Sequence, residues 1–217
     1  MKDKILEISV RDKLSHLGSN LTAVDIIESV YEVKKPDEKF ILSAGHAHLA
    51  HAVVMGKDEM PAGIHCDREN GCDVSTGSLG QGLPIAVGMA LSDRSKNVYC
   101  LISDGECAEG SIWEALRIGA EQKLTNLKVL VNANGYSAYK EVDPNTLLFA
   151  LRAFGWGVIP ALGENHEEIK EALKAEQPGI PIIVMCYTDV DKQHPALKGL
   201  DAHYKVLTEK EYGKTKK

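Results

Sequence analysis

The chain has 217 residues, 44% of them hydrophobic and 26% charged, proportions that suit one large core and argue against a disordered or fibrous chain. Its net charge is −6, and its only basic cluster is the tail Lys214-Thr215-Lys216-Lys217, which excludes an electrostatic nucleic-acid binder. No apolar run reaches the roughly 18–20 residues of a membrane helix, and Met1-Lys2-Asp3-Lys4 leads into a mixed amphipathic segment rather than a signal sequence.

In chain order, Val24, Ile27, Val30 and Tyr31 recur at helical spacing, with Thr22 as the expected cap. Lys35-Pro36-Asp37-Glu38 reads as a turn, residues 39–43 as a short buried strand, and residues 47–55 as a helix. Residues 56–76 mix Gly, Pro and polar side chains and read as irregular. The glycine-rich stretch Gly77-Ser78-Leu79-Gly80-Gln81-Gly82 then opens an apolar helix through residue 91. A strand over 98–102, a helix over 110–122 and a strand over 127–131 follow. A weaker unit completes the pattern: helix 146–153, strand 156–159, helix 165–175 and strand 181–187. Strands rich in Val and Ile, separated by helices, predict an α/β fold: a doubly wound parallel sheet with helices on both faces. A single domain is expected over residues 1–213, with 214–217 as a flexible basic tail.

The five cysteines are an odd number without framework spacing and fit a reducing cytoplasm. Cys66 and Cys72 are six apart and could ligate zinc, but no second pair in the sequence completes a site. His46, His48 and His51 could also bind a metal. At helical positions i, i+2 and i+5, however, only His48 and His51 could share a face, so the three are expected to do different jobs.

In such sheets ligands sit beyond the carboxyl ends of the strands. Strand 98–102 runs into Ser103-Asp104-Gly105-Glu106, where an acidic side chain can reach a cation and a glycine lets backbone approach a phosphate. Thirty residues after Asp104, past the next strand, comes Asn132-Ala133-Asn134-Gly135-Tyr136. A crossover of one helix and one strand would bring the two turns to neighbouring strand ends. Asp104, the Asn134 side-chain oxygen and a carbonyl near Tyr136 would then give a Mg²⁺ three of its six oxygen ligands, with two diphosphate oxygens and a water as the rest. On spacing alone, ordinary Asp-Gly and Asn-Gly turns, which are common in loops, are the better reading.

The segment S-D-G-E-C-A-E-G-S-I-W-E-A…N-A-N-G over residues 103–135 resembles the G-D-G…N signature of thiamine diphosphate enzymes. Its E-G-x-x-W-E-A continuation is similar to the transketolase family. Ser103 departs from the usual glycine. Ser75-Thr76-Gly77-Ser78-Leu79-Gly80-Gln81-Gly82 resembles that family's T-G-P/S-L-G-Q-G stretch, which implies cofactor contact at Gly77 and Leu79. The resemblance further implies that Asp104, Gly105, Glu106 and Asn134 bind cofactor, with Asp104, Asn134 and Tyr136 on the metal. His16, in a segment similar to the family's early H-x-G, and His65, in a stretch resembling G-H-P-D-R, would face substrate. His46 lies in Ser43-Ala44-Gly45-His46-Ala47, which resembles S-K-G-H-A with Ala44 in place of lysine, and would meet the diphosphate. His203 lies in a stretch resembling W-H-x-x-x-P-x-x-E-E-Y and would reach both diphosphate and donor sugar. Glu109 and Glu114 would belong to a carboxylate network at an interface between chains.

The resemblance covers only the family's diphosphate domain. The glutamate that activates the cofactor's aminopyrimidine lies in a second domain, so a partner chain is expected to supply it, giving an α₂β₂ assembly acting on sugars or sugar phosphates. The function this implies is transfer of a two-carbon ketol unit. The alternatives are a component of a 1-deoxyxylulose-5-phosphate-synthase-like or other acyloin-forming enzyme, and a non-catalytic scaffold. Residues 77–82 and Trp113-Glu114-Ala115 favour transketolase, and intact Asp104, Asn134 and His46 speak against a scaffold.

Overall fold

Short runs of aliphatic and β-branched residues form five strands: β1 (Lys39–Leu42), β2 (Val98–Ser103), β3 (Leu127–Ala133), β4 (Gly157–Leu162) and β5 (Ile182–Tyr187). All pair in parallel, in the order β1-β2-β3-β5-β4. The computed structural model describes residues 1–57 and 65–213. The predicted tail at 214–217 and residues 58–64 of the predicted irregular stretch lie outside them.

Alternation along the strands divides the core in two. Phe40, Leu42, Leu101, Leu130, Val184 and Cys186 point to one face, beneath α1 (Lys2–Arg11), α2 (Leu17–Val33), α3 (His48–Val54) and α7 (His166–Lys174). Ile41, Cys100, Ile102, Val129, Val131, Ile183 and Met185 point to the other, beneath α4 (Gly82–Ser92), α5 (Gly110–Glu121) and α6 (Pro144–Ala153). Both faces are apolar because both are covered, as a parallel sheet requires. The helix–strand alternation expected from the sequence is therefore the one found.

Thr22 does not start a helix. Helix α2 begins at Leu17, and the Thr22 hydroxyl, one turn inside, donates to the Gly18 carbonyl at 3.0 Å. A threonine hydroxyl can bond back to the i−4 carbonyl as readily as it caps. His16 is the residue before the helix and takes a left-handed backbone, φ 60°. The mixed amphipathic segment at the start is α1, and two short helices that the sequence pattern does not predict, α8 (Val190–Gln193) and α9 (Glu209–Gly213), follow β5. Among the described residues no helix is long and apolar enough to cross a membrane. All five cysteines are buried and unbridged.

Leu130 lies on the middle strand and is fully buried. Leu130→Ala should cost about 2–5 kcal/mol, the range for buried leucines whose sites cannot collapse, read as a lower urea midpoint at unchanged slope.

Candidate cofactor and substrate site

The register of β2 against β3 sets Ser103 opposite Asn132, so the turns that leave these strands start level. Asp104 is 2% exposed. Its carboxylate accepts the Gly105 N–H at 2.8 Å and, from the neighbouring turn, the Gly135 N–H at 2.6 Å. A Cβ on Gly105 would stand 2.9 Å from the Ser137 Cα and 3.4 Å from the Tyr136 carbonyl oxygen, so glycine is what lets the turns close on each other. Asn134 Oδ1 accepts the Tyr136 N–H at 3.0 Å, with a lone pair to spare. Burial pushes Asp104 up to about 7, against the pull of the Gly135 and Gly105 N–H groups. An acidic oxygen, an amide oxygen and a carbonyl oxygen on two abutting turns form a hard donor set that fits Mg²⁺. A cation is also the partner that a buried, hard-to-ionise carboxylate lacks.

Glu106 sits differently. It is fully buried, and one carboxylate oxygen accepts both the Ser43 hydroxyl at 2.7 Å and the Gly80 N–H at 2.8 Å. It ties the turn after β1 to the glycine-rich turn and does not line the cavity. Gly80 has φ +82°, and a side chain there would run into Glu109 and Ser111. Ser111 also donates to the Gly80 carbonyl at 2.7 Å.

These turns surround a cavity of about 200 Å³ lined by His16, His46, His65, Gly77, Leu79, Gly105, Glu109, Asn134, Tyr136 and His203. Sequence positions far apart thus meet at the carboxyl end of the sheet. The His16 ring lies 5.4 Å from that of His46 and 4.8 Å from that of His203, and the His16 backbone N–H donates to the His203 carbonyl at 3.1 Å. Burial, then the charges of His203 and His65, holds His16 at about 4. Burial, then His16, His203 and His65, holds His46 at about 3. Burial lowers His203 as well. Neutral imidazoles each offer one donor and one acceptor, suited to hydroxyl and phosphoryl oxygens alike.

Not every expected residue reaches the cavity, and some that do carry no motif. Glu114 is exposed and paired with Arg117 at 2.7 Å, away from the cavity. Ser19, Ser103, Ser137, Tyr139 and Tyr204 line the cavity although no sequence motif assigns them a role. Ser19 and Tyr204 adjoin the histidine motifs, the only signal they carry. His48 and His51 face away from the cavity, toward Cys66 and Cys72. A larger hollow of about 730 Å³ lies at the amino ends of the strands, around Asn97, Asn126 and Lys128. None of the motif residues reach it.

Residues 57–217 match the family described as transketolase, thiamine diphosphate binding domain. The chain is 32% identical to the 6-deoxy-6-sulfo-D-fructose transketolase subunit SqwG of a Clostridium species (strain MSTE9), over 90% of this chain and 85% of that one. It is also 32% identical to one of the subunits of the apulose-4-phosphate transketolase of Actinobacillus succinogenes, over 80% and 75%. Its fold matches a transketolase from Pichia stipitis with a TM-score of 0.84 at 19% identity, over 97% of this chain and 38% of that one.

The histidine cluster makes stability pH-dependent. An imidazole in the unfolded chain titrates near 6.5, whereas His16 and His46 titrate at about 4 and about 3. The unfolded chain therefore binds two more protons between those values, and stability is lost as pH falls from about 6.5. Asp104 opposes this: at about 7 rather than near 3.9 it holds a proton in the folded state and offsets one of the two over roughly pH 4–7. The urea midpoint should fall from pH 6.5 to 4.5, and the fall should be shallower in a His16→Asn, His46→Asn double variant. An identical slope in that variant would show that the rings are not buried neutral.

Proposed function

The chain belongs to the transketolase family through its thiamine diphosphate-binding domain, and from that premise we propose that it is the diphosphate- and Mg²⁺-holding subunit of a transketolase completed by a partner chain. The Gly135 N–H on the Asp104 carboxylate carries the reading, because it joins the turn after β2 to the turn after β3. Asp104, Asn134 Oδ1 and the Tyr136 carbonyl oxygen would hold the metal. His46 and His203 would meet the diphosphate, and Gly77 and Leu79 would meet the aminopyrimidine ring. Bound thiamine diphosphate supplies the nucleophilic carbon and the electron sink for ketol transfer.

This chain's part is to bind, orient and exclude water. Gly77 leaves its backbone bare to the cavity, and a Cβ there would lie 2.9 Å from the His65 ring. The neutral ring of His16, and beside it the His65 side chain, can hydrogen-bond the hydroxyls of a ketose. An anionic ligand raises the pKa of imidazoles beside it, so the cluster becomes a better donor once a diphosphate or sugar phosphate arrives.

The partner reading is supported by two relatives named as transketolase subunits, whose lengths this chain largely covers. The partner would supply the carboxylate that acts on the aminopyrimidine. Tyr139 and Tyr204 at the cavity, 69% and 62% exposed, are natural surfaces for it to cover. Glu109 at the cavity edge and Glu114 would lie along the interfaces of an α₂β₂ assembly in the cytoplasm. The substrates would be a ketose donor and an aldose acceptor, phosphorylated or otherwise acidic.

Supplied with its partner, thiamine diphosphate, Mg²⁺, a ketose phosphate and an aldose phosphate, the chain should support two-carbon transfer that neither chain performs alone. Cofactor binding without ketol transfer from any ketose rejects the activity, and CO₂ release from pyruvate would mark an acyloin-forming enzyme instead. Asp104→Asn should weaken Mg²⁺-dependent cofactor binding at least as much as the roughly 10–100-fold typical of outer-shell changes. Calorimetry on the paired chains reads this directly, and ketol transfer should fall in parallel.

A further inference from the structure

Behind the cavity, on the side of α3 that faces away from it, two segments bring four ligand-bearing side chains to one point. His48 and His51 come from α3, and Cys66 and Cys72 from the loop that returns toward the glycine-rich turn. Each is at most 6% exposed. The Cys66 sulfur is 3.5 Å from His48 Nδ1 and 3.6 Å from His51 Nδ1, and the Cys72 sulfur is 3.7 Å and 3.6 Å from the same atoms. A tetrahedron with Zn–S near 2.3 Å and Zn–N near 2.05 Å has N–S edges of about 3.5 Å. All four cross-distances match that edge. The two sulfurs are 2.9 Å apart, too far for a disulfide of about 2.05 Å and closer than the roughly 3.8 Å S–S edge of the tetrahedron. Ligation therefore requires the thiols to part by about one ångström, a side-chain adjustment within the range of a small χ1 rotation.

The surroundings agree. His51 presents Nδ1 to the cluster while its Nε2 lies 2.7 Å from the Tyr31 hydroxyl, the outer hydrogen bond that fixes the tautomer of a metal-bound imidazole. His48 Nε2 is buried without a partner, so of the two imidazoles only His51 has the outer hydrogen bond. Two thiolates and two neutral imidazoles around a divalent cation sum to zero charge, which is what a buried site tolerates.

We propose that His48 Nδ1, His51 Nδ1, Cys66 Sγ and Cys72 Sγ hold one structural Zn²⁺. Four protein ligands leave no open position, so the ion fastens and does not catalyse. On binding, Zn²⁺ replaces the two thiol protons, which pass to solvent. The ion staples the loop to α3. Cys66 follows the cavity residue His65, its carbonyl accepts the Thr76 N–H at 3.0 Å, and Gly77 packs on the His65 ring. His46 precedes His48 by two residues. One ion thus fixes the backbone behind three cavity residues on two segments.

The full chain, made in zinc-supplemented medium and purified without chelator, should carry about one zinc per chain by elemental analysis. After exchange to Co²⁺ it should show thiolate charge-transfer absorption and the ligand-field bands of a tetrahedral ion. Tyr31→Phe should keep the fold and weaken zinc roughly 10–100-fold in a chelator competition. A Cys66→Ser, Cys72→Ser variant should lose both zinc and cobalt signals. Wild-type chain that is metal-free and spectroscopically silent with Co²⁺ overturns the proposal. So does a mass lighter by two hydrogens, which marks a disulfide, or zinc retained by the double serine variant.

Discussion

The Asp104 carboxylate lies in a buried turn and is held by two backbone N–H groups, one of them from the turn on the adjacent strand. Burying a carboxylate is costly, and the two donors recover only part of the cost, which is why the group ionises only near neutrality. The arrangement depends on parallel pairing in register. If β3 slipped by two residues against β2, Gly135 would move by more than a hydrogen bond's length and the carboxylate would lose its second donor. The hydrophobic core, by setting that register through Leu101, Leu130 and their neighbours, therefore also sets the geometry of the turns.

A second layer of bonds connects the remaining turns. Glu106, fully buried, joins Ser43 after β1 to Gly80 of the glycine-rich stretch, and Ser111 on α5 closes back on the Gly80 carbonyl. Glycines make these approaches possible: a Cβ on Gly45 would lie within 2.9 Å of the Thr76 and Gly77 backbone. Removing the Glu106 carboxylate would leave Ser43 and the Gly80 N–H unsatisfied in the interior, a cost of about 1–3 kcal/mol for each group. Its contacts hold the turns together, and it is not among the residues that line the cavity.

Much of this was legible in the sequence because it is local. Strands such as Val98–Ser103 and Leu127–Ala133 are rich in apolar residues, and each is followed at once by the turn that matters, so strand end and motif are read together. Thr22 misled because a threonine near a helix start can serve the helix from inside as well as from its end. The roles of Glu106 and Ser43 were not legible, since a carboxylate beside a motif looks the same whether it faces the cavity or the core. The His48, His51, Cys66 and Cys72 cluster escaped for a different reason. Each pair alone is an incomplete ligand set, and only the path of the chain around α3 makes them one.

The electrostatics of the cavity bear on how the proposed function would be served. Burial holds its histidines His16 and His46 neutral, and burial pushes the nearby Asp104 carboxyl up to about 7. A divalent cation favours loss of the Asp104 proton, while a diphosphate favours gain of protons by the imidazoles. The two shifts run in opposite directions, so proton release on cation binding and proton uptake on anion binding partly cancel when both arrive. Each also relieves the other's cost, since the carboxylate is easiest to ionise when the cation is present and the cation is best neutralised when the anion is. The metal and the diphosphate should therefore bind with positive coupling, a property that follows from burying an acid behind the wall of a cavity that several bases line.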